Sequence, residues 1–177
     1  CGMNQNEMLT KFANTGLVDC LLLAGRFTLL DQRSLDELIP TCEKNNVSLI
    51  IGGVFNSGIL IDPSPNSYFD YVELNNSWLD NAKQLGVRTP ESYESNKYWL
   101  DKANEINKIC QKHNVNLKTA ALKFPYCNSN IATVLTGVTC KEQVLENLMS
   151  YSTNISNDLW NELEQKNLIK KKSINKL

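Results

Sequence analysis

The sequence predicts an α/β fold built on a parallel sheet, and three observations carry that reading. Val18 to Ala24, Val47 to Ile51 and Ile131 to Leu135 are short, continuous apolar runs, the pattern of strands covered on both faces. Segments with helical periodicity separate them. Each run ends in small or polar residues: Gly25, Gly52-Gly53 and Thr136-Gly137. The order strand, helix, strand, helix, two helical segments, strand, helix, helix suits a parallel sheet with helices on both faces or one closed into a barrel.

Taken in order, Asn4 followed by Glu7 reads as a capping box opening a helix from about Gln5 to Asn14, with Met8, Leu9 and Phe12 at helical spacing. Val18 to Ala24 is the first full strand, ended by Gly25. A second capping box, Ser34 with Glu37, opens a helix carrying Leu35, Leu38, Ile39 and Cys42 on one face. Pro40 inside it should bend the helix or remove one backbone bond. Val47 to Ile51 is the next strand. Residues Ile61 to Ser77 hold two of the five prolines and read as loop. Trp78 to Leu85 reads as a short helix stopped by Gly86, so 61–95 as a whole is a loop or insert. A longer helix, Tyr93 to Lys112, has Trp99, Ala103, Ile106 and Cys110 as its buried stripe. Leu117, Ala120, Ala121 and Phe124 form another apolar face ending at Pro125. After the strand Ile131 to Leu135, Thr139 and Glu142 make a third capping box, with Val144, Leu145 and Leu148 facing inward. The last helix covers Asn157 to Leu168 through Leu159, Trp160 and Leu163, and 169–177 is a basic, solvated tail. No repeat or linker divides the chain, so 1–177 reads as a single domain.

Composition narrows the function classes. The chain has 177 residues, 42% hydrophobic and 21% charged, with a formal net charge of -1. A broad nucleic-acid surface needs a basic excess that this chain lacks. No apolar run approaches the roughly 20 residues that span a bilayer. Cys1 to Met8 has no basic region leading into an apolar stretch, so no secretory signal is read there. Cys1 stands where an initiator methionine is usual, which leaves two readings: processing, or a beginning further upstream. The six cysteines (Cys1, Cys20, Cys42, Cys110, Cys127 and Cys140) form no CxxC pair and no common zinc spacing. They read as reduced thiols serving as small core residues of a cytoplasmic protein. The ending Asn175-Lys176-Leu177 differs from the peroxisomal Ser-Lys-Leu address at its first position, a weaker pointer to that compartment.

Ligands of parallel α/β folds bind at the carboxyl ends of the strands. Two such ends are candidate phosphate sites. One is Gly52-Gly53-Val54-Phe55-Asn56-Ser57-Gly58. The other is Thr136-Gly137-Val138-Thr139 at a helix start, with Lys141 in the first turn. Glycines let the backbone approach an anion, helix starts offer free N–H groups, and a lysine adds charge. Ordinary turn chemistry explains the same residues equally well. No catalytic constellation accompanies them. His113, the only histidine, reads as a solvated residue near a helix C-terminus, and Asp31 and Glu37 read as loop and capping residues.

Several stretches together resemble the aldo/keto reductases, and within them the branch of D-threo-aldose, L-fucose and L-galactose 1-dehydrogenases. They are Gly2 to Gln5, Ala24-Gly25-Arg26-Phe27-Thr28-Leu29-Leu30-Asp31-Gln32, Ile51 to Leu60, Ala120 to Pro125 and Thr136 to Leu148. They occur in the family's order across nearly the whole chain. The resemblance implies the C-terminal half of a (β/α)8 barrel, from the end of its fifth strand through its eighth, that uses NADP or NAD on an aldose or another aldehyde or secondary alcohol. On that mapping Asn4 would hold the nicotinamide carboxamide, in competition with its capping role. Phe55, Asn56, Ser57 and Gly58 would be the pyrophosphate loop. Thr136, Gly137, Val138, Thr139 and Lys141 would line the adenosine ribose and any 2′-phosphate, and Gln143, Glu146 and Asn147 would flank the adenine, although an exposed helix face also accounts for Gln143 and Glu146. The sequence departs from the family at Ala24, where many members have glutamine, and at Gly52, where many have a stacking aromatic.

The family's catalytic Asp, Tyr, Lys and His belong to the first four strands, none of which maps onto residues 1–177. The expectation is therefore a cofactor-binding half, inert by itself, whose small-molecule carbonyl or sugar substrate needs the other half. The alternative is a non-catalytic module that binds nucleotide or pairs with another half-barrel. Self-association of an exposed half-barrel is a further expectation.

Overall fold

The computed structural model describes residues 1–64 and 96–171. Its strands are β1 (Gly2–Met3), β2 (Cys20–Ala24), β3 (Ser48–Gly52) and β4 (Ile131–Leu135), joined in one sheet in that order with every pair parallel. The helices are α1 (Asn6–Ala13), α2 (Leu38–Lys44), α3 (Asn96–Lys112), α4 (Leu117–Lys123), α5 (Lys141–Ser152) and α6 (Asn157–Gln165). The expected helix Trp78 to Leu85, the start of the helix at Tyr93, most of the 61–95 loop and the tail beyond Lys171 lie outside the described residues. None of the described helices is long and apolar enough to cross a membrane.

The sheet is buried on one face. Leu21, Leu23, Leu49 and Ile51 are fully buried, whereas Leu22 and Ile50 are half-buried and Cys20 and Ser48 exposed. The apolar runs are thus not covered on both faces as the sequence suggests. The helices pack on the face that holds Leu21 and Ile51, and the opposite face is open at its base. β4 departs furthest from expectation. Among the described residues it is an edge strand, Ala132, Thr133 and Leu135 are exposed, and the ladder to β3 shifts register between Leu49 and Ile50. The Val134 N–H donates instead to the Tyr126 hydroxyl at 3.1 Å.

Residues 26–34, between β2 and α2, are mostly buried and internally bonded. The Thr28 hydroxyl accepts from the Leu30 and Asp31 N–H groups, and the Thr28 N–H donates to the Asp31 carbonyl at 2.8 Å. The Asp31 carboxylate, 1% exposed, accepts from the Arg33 guanidinium and N–H and lies 3.8 Å from Arg26. The Ser34 hydroxyl donates to the Arg26 carbonyl, and Lys102 of α3 to that of Leu30. Phe27 then packs its ring 5.2 Å from Phe124, which lies 6.1 Å from Trp160, joining loop, α4 and α6 in one core.

Helix starts depart from expectation. α1 is preceded by Gln5, α2 by Glu37 and α5 by Cys140, and none of the three caps with its side chain. Ser34 is not a cap because its hydroxyl is spent on Arg26. With α2 beginning at Leu38, Pro40 falls in the first turn, where its missing N–H has no partner to lose, so no helical bond is broken. Among the described residues the side-chain caps that do form are Asn116 on α4 and Ser156 on α6. α3 buries Ala103, Ile106 and Cys110 as its periodicity predicts, and α6 buries Leu159, Trp160 and Leu163 but ends at Gln165, not Leu168. Replacing Asp31 by Ala should leave the Arg33 N–H and its partly exposed guanidinium without this acceptor and lower stability by about 1–2 kcal/mol. An unchanged urea midpoint would refute this account of the loop.

Candidate functional site at the carboxyl edge of the sheet

Because the four strands run parallel, the residues that follow them collect along one edge. Asn4 follows β1, Gly25 and Arg26 follow β2, Gly53 to Gly58 follow β3, and Thr136 to Cys140 follow β4. Gly25 and Gly53 both have φ +65°, and a Cβ on Gly53 would sit 3.3 Å from the Gly25 nitrogen, so the chain turns sharply there at close quarters. The Gly25 N–H donates to the Gly52 carbonyl at 2.8 Å, tying the two ends together.

The first candidate loop is a tight left-handed turn. Phe55 is right-handed at φ -92°, and Asn56, Ser57 and Gly58 follow at +47°, +56° and +103°. The turn is closed by Asn56 N–H to Gly53 O and Gly58 N–H to Phe55 O. A right-handed residue followed by a left-handed one is the backbone form of an anion-binding concavity, with the Asn56 and Gly58 N–H groups here already bonded within the turn. Asn56 is buried at 3% exposure, Phe55 is half-buried and Ser57 exposed.

The second loop is mounted on α5. Gln143 Oε1 accepts from the Thr139 N–H at 2.9 Å and lies 3.4 Å from its hydroxyl, and Asn147 Nδ2 donates to the Thr136 hydroxyl at 3.3 Å. Two carboxamides of one helix thus hold residues 136–139 at both ends. The expected box of Thr139 with Glu142 is displaced by one position, since Gln143 returns the bond. Gly137, Val138, Thr139 and Lys141 are exposed. Glu146 parts from the group: its carboxylate pairs with Lys118 of α4 at 2.7 Å. The structure therefore brings together Thr136, Gly137, Val138, Thr139, Lys141, Gln143 and Asn147. Asn4 is exposed just past Met3, on the same edge. Arg26 is a residue of this edge that spacing alone does not single out; its side chain is 15% exposed beside Asp31.

The other titratable groups serve elsewhere. His113 is not solvated: its Nε2 is 2.8 Å from Glu162, which also accepts from Lys112. Those two bonds, Lys112 first, hold the Glu162 carboxyl below its ordinary range. The shallow groove around them, about 410 Å³, is lined by the end of α3 and by α6 rather than by strand ends. All six cysteines are free thiols. Burial pushes Cys110 up to about 12 and Cys42 and Cys127 up to about 11; Glu43 adds to the rise at Cys42, and Lys123 opposes it at Cys127. Among the described residues no three His, Cys, Asp or Glu side chains are grouped to hold a metal.

Two outcomes follow from this geometry. A thiol reagent at mildly alkaline pH should label Cys1, Cys20 and Cys140 quickly and leave the other three until the chain is denatured; prompt labelling of all six would contradict the burial described. Gln143→Met should speed hydrogen exchange at Thr139 about tenfold, the loss of a hydrogen bond worth about 1.4 kcal/mol, with little change in melting temperature. Exchange at the wild-type rate would show that Gln143 does not hold the loop.

Comparison with known proteins agrees with this arrangement. The family model described as the aldo/keto reductase family matches residues 4–168. Pyridoxal 4-dehydrogenase of Microbacterium luteolum is 32% identical over 169 residues, covering 95% of this chain and 43% of that enzyme. D-threo-aldose 1-dehydrogenase of a Pseudomonas species is 28% identical, covering 95% of this chain and 45% of its own length. Among solved structures, an aldo-keto reductase of Bacillus halodurans in its holo form superposes with a TM-score of 0.63 at 15% identity, over 96% of this chain and 49% of that one. The glycerol dehydrogenase of Gluconobacter oxydans gives 0.62 at 12% identity, over 93% and 46%. The chain thus spans less than half the length of these relatives. A parallel sheet with its loops gathered at the carboxyl edge, matched along nearly all its length by one family model, places this chain in the aldo/keto reductase family.

Proposed function

We propose that this chain is the cofactor-binding half of an NAD(P)-dependent oxidoreductase, forming strands five to eight of a (β/α)8 barrel that acts on an aldose or another aldehyde or secondary alcohol. The observation that carries it is the convergence, on one sheet edge, of the left-handed 55–58 turn and the 136–139 loop held by Gln143 and Asn147. The relatives named for pyridoxal and D-threo-aldose support a carbonyl or sugar substrate.

The residues present fit a dinucleotide. The 55–58 backbone turn suits a pyrophosphate, and a Cβ at Gly137 would meet nothing, so the backbone there is open to a ribose. Asn4 would take the carboxamide. Lys141, exposed in the first turn of α5, would meet a 2′-phosphate. Asn147 would face the adenine while still holding Thr136. Glu146, paired with Lys118, is the weakest member of the expected set. When bound, the nicotinamide supplies or accepts the hydride. What these residues do is orient it and hold its phosphates. Proton transfer to the carbonyl oxygen falls to the catalytic Asp, Tyr, Lys and His of the family's first four strands, so this half is inert alone. Ala24 and Gly52, both small, leave the nicotinamide without an aromatic platform on this half. Cytoplasmic residence belongs to the same reading.

A second reading, a non-catalytic nucleotide-binding module, draws on the core of this half, where Leu9, Phe27, Phe124 and Leu163 are fully buried without outside help. Titration with NADH and NADPH, followed by tryptophan fluorescence and then by turnover with an aldose, separates the two. Both readings expect binding and no turnover in the isolated chain. Only the first expects turnover once the missing half is supplied. Lys141→Ala should weaken NADPH about tenfold, the size of one charge-assisted contact, and NADH little. Absence of binding to either nucleotide would sink both readings.

A further inference from the structure

We infer that Glu142 sets the choice of dinucleotide at this site: its carboxylate accepts the ribose 2′-hydroxyl of NAD and opposes the 2′-phosphate of NADP. This rests on the cofactor reading above. Spacing assigns Glu142 to a capping box with Thr139, but Gln143 holds that place, its Oε1 accepting from the Thr139 N–H at 2.9 Å. Glu142 is thus left exposed in the first turn of α5, and among the described residues its carboxylate has no hydrogen bond or ion pair. Gln143 and Asn147 meanwhile fix the 136–139 loop against the same end of the helix. A charged carboxylate stands beside the loop that would carry the adenosine ribose. It accepts hydrogen bonds and cannot donate them, so it pairs with a sugar hydroxyl and repels a phosphate.

The charges around the loop favour the same choice. A 2′-phosphate carries a charge of about -1.5 to -2 at neutral pH and is met by cations. The cations of α4 and α5 are Lys118, Lys123 and Lys141. Lys118 is tied to Glu146 at 2.7 Å, and Lys123 donates to the Tyr151 carbonyl at 2.9 Å, at the other end of α5. On these two helices Lys141 alone is left for a phosphate, and Glu142 beside it offsets its charge. A ribose hydroxyl needs no cation. It needs an acceptor and room. The Glu142 carboxylate supplies the first, and the open backbone at Gly137, where a Cβ would meet nothing, supplies the second. Lys141 and Glu142 are therefore opposed determinants: the lysine draws NADPH, and the glutamate holds it weaker than NADH.

The test is equilibrium binding of NADH, NADPH and the 2′-deoxyadenosine analogue of NADH, followed by tryptophan fluorescence. The wild-type protein should bind NADH about tenfold more tightly than NADPH, and loss of the 2′-hydroxyl should weaken NADH about tenfold. Glu142→Gln should weaken NADH about tenfold, strengthen NADPH about threefold and no longer distinguish NADH from its deoxy analogue. Glu142→Lys should bind NADPH more tightly than NADH. Glu142 is exposed, so neither substitution disturbs packing. A carboxylate that served only the dipole of α5 would leave the ratio of NADPH to NADH affinity unchanged in Glu142→Gln, and that outcome overturns the inference. A wild-type protein that binds NADPH as tightly as NADH overturns it too. In both of those cases the nucleotides still bind and the cofactor reading stands. Binding of neither nucleotide defeats the cofactor reading, and the inference falls with it.

Discussion

The structure depends on the burial of one face of the central β2–β3 pair. Leu21, Leu23, Leu49 and Ile51 are each fully buried, and the parallel ladder sets Leu21 opposite Leu49 and Leu23 opposite Ile51. Because side chains alternate along a strand, a slip of one residue would turn all four to the open face and replace them with Leu22, Ile50 and the exposed Cys20 and Ser48. That penalty fixes the register. The register in turn sets Ala24 beside Gly52, so the turns at Gly25 and Gly53 meet at one edge and the loops that follow start from a common line.

The second support is the buried 26–34 loop. A connection this deeply buried must satisfy its own backbone, and here Thr28, Asp31 and Ser34 do so. Once satisfied, the loop brings Phe27 to Phe124 and Trp160, so α4 and α6 pack against a connection rather than against a strand. Arg26 and Arg33 share the Asp31 charge at the end nearest the sheet edge. The electrostatic cluster and the aromatic cluster therefore brace the same segment.

α5 carries one side of the candidate site. Its first turn carries Lys141, its inner side holds the 136–139 loop through Gln143 and Asn147, and its outer side is apolar.

Much of this was legible in the sequence, and the reason is local periodicity. β4 falls on Ile131–Leu135 as read, β3 is displaced by one residue, and the stripe Ala103, Ile106, Cys110 is buried as its spacing requires. Strands that run as apolar blocks and helices that repeat near every fourth residue declare themselves without tertiary context. The carboxyl-edge turns were legible because glycine and threonine directly after an apolar run mark where the chain leaves the sheet. What the sequence left open is what each face meets. Val144, Leu145 and Leu148 read as inward because apolar stripes normally are, yet all three are exposed, since the helix turns Glu146, Asn147 and Ser150 toward its neighbours instead. His113 read as solvated because Glu162, its partner, is 49 positions away. Ser34 and Thr139 read as caps, but contacts with Arg26 and Gln143 took their hydrogen bonds. Periodicity records that a face is apolar, and only the assembled structure decides which surface it covers.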